Sequence, residues 1–230
     1  MSGSGVRRRG LRERGRSRLF VMAIVPVVLV AAAVAGLRWK SEHASGSGSS
    51  ASFAIARAAA SGTGGGHTYR VEVEDGSGLD PDGAAAEVAR VLAAPRGWSH
   101  HGEQTFRQIS TQPAGLVIRI ATPETTDEVC GQSGLNTHGE VNCRVGAVVM
   151  VNLKRWQQGS PEFDGPLADY HALIINHEVG HWLGHGHETC PGKGRPAPAM
   201  MQQIDGLKGC VSNAWPYDAN GKYLGGPSVP

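Results

Sequence analysis

Five of the ten histidines, His171, His177, His181, His185 and His187, fall within seventeen residues. The segment His177-Glu178-Val179-Gly180-His181-Trp182-Leu183-Gly184-His185-Gly186-His187 contains H-E-x-x-H followed by x-x-G-x-x-H. Imidazoles at positions i and i+4 of a helix share one face, so His177 and His181 can direct a nitrogen at one ion from about 2.0–2.1 Å. Glu178 is turned about 100° around the helix. It stands beside such an ion, where a carboxylate acts as a base towards water. On a continued helix His185 would lie about 12 Å along the axis from His177, too far to share the ion, so the helix has to stop. Gly184 permits the stop, because glycine adopts the left-handed conformation without steric penalty, and the chain can then bring His187 back. Three imidazoles leave a fourth position open, the arrangement of a catalytic rather than a structural zinc. His185 then reads as a polar residue of the turn, and His171, off the face of His177, as an ordinary helix residue.

This spacing resembles the signature of the metzincin zinc endopeptidases, which add a methionine turn below the metal. The resemblance implies an α+β fold: a mixed twisted sheet with backing helices and an active-site helix. It implies one zinc ion held by His177, His181 and His187, with Glu178 as general base and acid. In Pro196-Ala197-Pro198-Ala199-Met200-Met201-Gln202 it makes Met200 the turn methionine, with Met201 as the alternative. Some metzincins carry a tyrosine after the turn that binds metal or stabilises the oxyanion, a role that would fall to Tyr217. The run Ala147 to Leu153 would be the edge strand on which an extended protein or peptide substrate pairs. From Tyr69 to Tyr217 the chain is also similar to a family of uncharacterised exported bacterial proteins that join one N-terminal membrane segment to a metzincin-like domain. Gly184-His185-Gly186-His187-Glu188-x-Cys190-Pro191-Gly192 and Asn213-Ala214-Trp215-Pro216 carry that similarity.

The elements that must position these residues are readable locally. Tyr69 to Glu74 alternates apolar and polar with the two-residue period of a half-buried strand. Asp80-Pro81 opens a helix through Val88, Val91 and Leu92, with Asp80 as cap and Pro81 at the first helical position. Leu116 to Ala121 and Ala147 to Leu153 are β-rich runs, and a shorter strand is expected near Phe106. The histidine helix is expected from about Pro166 to Leu183, with Trp182 and Leu183 in the core. Gly180 costs about 1 kcal/mol in a helix relative to alanine, which suggests a packing reason.

The formal charge of +2 averages two unlike parts. Residues 1–40 hold nine basic side chains and one acid, a net +8, while the remaining 190 hold thirteen and nineteen, a net −6. The part large enough to fold is acidic and lacks the basic stripe that phosphate binding needs, which argues against a nucleic-acid partner. Leu19 to Leu37 is an uncharged run of 19 residues, about the length that crosses a bilayer. Seven arginines between Arg7 and Arg18 place the N-terminus in the cytoplasm and the rest outside. The chain therefore divides into a basic N-terminus (1–18), a transmembrane signal anchor (19–37), a Ser/Gly/Ala tether (38–66) and the zinc domain (67–230). Secretion after cleavage near Ala35 is the alternative. The four cysteines lie in the exported part, where disulfides persist, and the sequential pairing Cys130–Cys143 and Cys190–Cys210 closes two short loops. The expected function is a membrane-tethered, extracytoplasmic zinc peptidase. The alternatives are a non-catalytic zinc-stabilised surface module and a hydrolase of cell-wall peptides. The sequence leaves the oligomeric state open.

Overall fold

The computed structural model describes residues 51–58, 65–111 and 113–229. The expected span Leu19–Leu37 and the basic segment before it lie outside these residues; among those described, no helix is long and apolar enough to cross a membrane. Six strands, β1 (Phe53–Ile55), β2 (His67–Glu74), β3 (Phe106–Gln108), β4 (Leu116–Ala121), β5 (Cys143–Val145) and β6 (Val148–Asn152), form one mixed sheet. Its order is β1-β2-β4-β6-β5, with β3 also paired to β2. β2, β4 and β6 run parallel, and β1 and β5 lie antiparallel at the two edges. The helices are α1 (Pro81–Ala93), α2 (Pro123–Gly131), α3 (Leu153–Gln158) and α4 (Leu167–Trp182).

Strand alternation divides the sheet into two faces. Val71, Val73, Ile118, Ile120, Val149 and Val151 point to one side and form the main core with residues of α1 and α4, among them Val88, Val91 and Ile175. The other face carries an ion-pair triad, in which the Glu72 carboxylate accepts from Arg70 at 2.5 Å and from Arg119 at 2.6 Å. Beside it Met150, Ala121, Cys143 and Cys130 make a smaller cluster. Asp80 caps α1 by accepting from the Asp82 and Gly83 N–H groups, with Pro81 in the first turn, as its sequence indicates. The same signal opens α2, a helix not among the expected elements, where Thr122 accepts from the Thr125 N–H just before Pro123.

Two expectations are corrected. Ala147–Leu153 is not the edge strand: β6 lies inside the sheet, and the edge belongs to Cys143–Val145. These residues fold back through a two-residue Gly146-Ala147 turn with Gly146 at φ 59°, a backbone that matches the twist of a hairpin. The tether does not extend through 51–58 either. Phe53–Ile55 pairs with Glu72–Glu74, Ala56 is wholly buried, and the Arg57 Nε donates to Asp82 at 2.7 Å. Three short apolar residues inside a Ser/Gly/Ala tract give too little pattern to betray a strand.

Both disulfides have the sequential pairing. Cys130–Cys143 ties α2 to the edge strand, and Cys190–Cys210 brackets the segment that contains Met200. A version of the protein that begins at His67 loses β1 and the buried Ala56. It should unfold at lower denaturant than one that begins at Ala51, by about 1–3 kcal/mol for the lost burial and strand bonds. Equal midpoints in guanidinium melts would show that β1 adds nothing.

Candidate metal centre

Helix α4 is held along its length before it reaches the histidines. The Trp98 indole N–H donates to the Asn176 carbonyl at 2.7 Å, and the Asn176 amide donates to the Ala214 carbonyl at 2.9 Å. Gly180 has the packing reason its cost suggested. A methyl group there would run into the Met200 sulfur and come within 2.8 Å of the Trp98 ring. The helix ends as the spacing requires. Gly184 sits at φ 99°, its N–H donates to the His181 carbonyl at 3.1 Å, and the His185 N–H donates to the Gly180 carbonyl at 2.9 Å. These two bonds are the pair that closes a Schellman motif, and they turn the chain back towards the helix.

That turn brings three imidazoles together. The His181 Nε2 lies 3.2 Å from the His177 Nε2 and 3.0 Å from the His187 Nε2. The outer nitrogens of two rings are already engaged: His177 Nδ1 meets the Ala199 carbonyl and His181 Nδ1 meets the His185 carbonyl, each at 2.9 Å. A carbonyl only accepts, so these two Nδ1 atoms carry the protons, and the Nε2 atoms of His177 and His181 present bare lone pairs to one another. Lone pairs at this distance repel unless a cation lies between them. Two ligands bound at 2.0–2.1 Å with a tetrahedral angle would stand about 3.3 Å apart, close to the spacing seen. The three histidines therefore fit a metal ion, and the two carbonyl bonds are the outer contacts that orient such ligands. Burial keeps His177 neutral by lowering its pKa to about 3, and it lowers His181 and His187 as well.

Glu178 is 5% exposed and, with His177, His181, His187 and Arg144, lines a cleft of about 260 Å³. Burial pushes its carboxyl up to about 8, opposed in part by the charge of Arg144. A neighbouring apolar pocket is walled by Tyr170, Leu173, Ile174 and Ile204, and His177 and Glu178 line it too. Met200 is wholly buried beneath α4, and its neighbour Ala199 supplies the carbonyl that fixes His177. Met201 packs instead with Ala197 and Cys210.

Tyr217 does not line the cleft. Its ring stacks on His100 at 3.7 Å and meets Trp98 edge-on. His185 is exposed and stacks on Trp98 at 4.3 Å, and His171 is buried flat against Trp156. The residues that sequence reading missed, Arg144, Asn142, Leu135 and Gln202, lie outside the histidine motif and reach the cleft through the hairpin and the loops. The disulfide partner Cys143, next to Arg144, was the one signal pointing there.

Fold and site define an α+β domain built around a three-histidine centre that can hold a metal ion. The chain belongs to the DUF3152 family, described as proteins of unknown function, whose model matches residues 42–209. Searches of curated proteins and of solved structures found no match.

The Glu178 carboxyl moves from an ordinary 4.5 to about 8 on folding, so its protonated form favours the folded state. That contribution is complete below pH 4.5 and is lost as pH rises through 8, at roughly 1.4 kcal/mol per tenfold change in proton affinity. With metal removed by a chelator, wild type should lose more stability between pH 5 and 8.5 than Glu178→Gln. Equal losses in denaturant titrations would contradict the burial of this carboxyl.

Proposed function

We propose that the domain is a zinc-dependent peptidase that works outside the cytoplasm. The observation that carries the proposal is the placement of Glu178: buried, adjacent to two of the three histidines, not one of them, and open to the same cleft. A site that only stabilised the fold would need no such carboxyl. Zinc bound by three imidazoles lowers the pKa of a coordinated water towards 7 and polarises a carbonyl.

The protein's own groups do the rest. Glu178 accepts the proton of the attacking water and returns it to the amide nitrogen as the C–N bond breaks. The free side of β5, at the sheet edge and beside the cleft, supports pairing of an extended peptide through backbone hydrogen bonds. The apolar pocket next to His177 suits an uncharged side chain of that peptide. Both disulfides agree with an oxidising compartment.

The test combines metal analysis with cleavage mapping on a peptide library. Wild type should carry about one zinc per chain and cut peptides. Glu178→Gln should keep the zinc and lose at least about 100-fold in rate, the loss typical of a missing general base. His181→Ala should lose the zinc itself. A zinc-loaded wild type that cuts neither peptides nor cell-wall stem peptides would sink the proposal in favour of a binding module.

A further inference from the structure

The edge strand carries a charged side chain whose position the histidine motif does not account for. In the β5–β6 pair Arg144 stands opposite Val149, and residues directly opposite in an antiparallel pair project to the same face. Val149 belongs to the main core, on the face against which α4 packs, so Arg144 projects towards the helix of His177 and Glu178. It lines the cleft with them and is the only lysine or arginine among the described residues that does so.

One arm of the guanidinium is engaged within the hairpin. Nη1 donates to the Gly146 carbonyl at 2.8 Å, and the preceding residue is fixed by the Cys130–Cys143 disulfide. Other side-chain donors in the cleft are neutral, the Asn142 amide among them, whose oxygen accepts from the Asn152 N–H at 2.8 Å. Tyr217, the side chain that the family resemblance offered for an oxyanion, lies elsewhere.

We propose that Arg144 is a catalytic residue that holds the oxygen made anionic when water adds to the scissile carbonyl. The assignment rests on the peptidase reading above. As the water oxygen bonds to the carbonyl carbon, its proton passes to Glu178 and the carbonyl π pair moves onto oxygen, where Arg144 donates to it. The pair returns to re-form the carbonyl as the C–N bond breaks, and the amine nitrogen takes the proton from Glu178. A charged donor aimed at a developing oxyanion is worth about 10²–10³ in kcat.

The experiment uses the full-length chain in detergent, loaded with zinc, and a fluorogenic peptide chosen from the library as the best wild-type substrate. Its second readout is the binding of a phosphinic peptide of the same sequence, whose tetrahedral anion imitates the intermediate. Arg144→Ala and Arg144→Gln should lower kcat about 100-fold or more, with KM within about threefold and zinc content unchanged. Both should also weaken the phosphinic peptide by a comparable factor, and Arg144→Lys should recover part of each loss. An active wild type with kcat preserved in Arg144→Ala and Arg144→Gln overturns the assignment and leaves the peptidase reading standing. A loss confined to KM for acidic substrates overturns it too, in favour of a specificity role. A wild type that cuts no peptide overturns both readings.

Discussion

The His181 Nε2 stands 3.2 Å from the His177 Nε2 and 3.0 Å from the His187 Nε2, a crowding of ring nitrogens that a shared cation relieves, and much of the domain is arranged to create it. Two of the rings are fixed from behind by backbone carbonyls, one from the turn after the helix and one from the segment carrying Met200. That segment is bracketed by a disulfide, and its methionine fills the space that glycine leaves open on the helix. The helix must end at Gly184 for the third histidine to arrive, and the capping bonds from Gly184 and His185 make it end there.

The same economy governs the other wall of the cleft. The sheet is closed on the metal side by a three-residue strand that would be a weak element alone. Its hairpin turn and its disulfide to α2 hold it. The constraint matters because this strand presents both the free backbone edge and Arg144 to the cleft. The hairpin and the disulfide give Arg144 a firmer base than a free loop would.

Much of the site was legible in the sequence because its geometry is local. His177, Glu178 and His181 are related by helical periodicity, and Gly184 announces the stop, so the convergence of His187 follows from short-range rules. The disulfides followed from loop length, and the cap of α1 from Asp80-Pro81. The strand of Leu116–Ala121 and the helix of Leu167–Trp182 were legible for the same reason, since their patterns are long and regular. What was missed depends on contacts between distant segments. Nothing near Ala147–Leu153 says that three residues before it will cover its edge, and nothing near Phe53 says that it will pair with Glu74. Arg144 was invisible for that reason, since its role depends on which face of the sheet it takes. Tyr217 was misplaced because only its rank after the methionine was visible, not the stacking on His100 that holds it away.

The central claim is that His177, His181 and His187 together hold one zinc ion with a position left open for water. X-ray absorption at the zinc edge, on the full-length chain purified without added metal, tests it directly. The expected result is about one zinc per chain with three imidazole nitrogens and one oxygen at about 2.0–2.1 Å, and a changed spectrum in His187→Ala. Sulfur ligation, a closed shell of four protein ligands, or a spectrum unaltered by His187→Ala would contradict it.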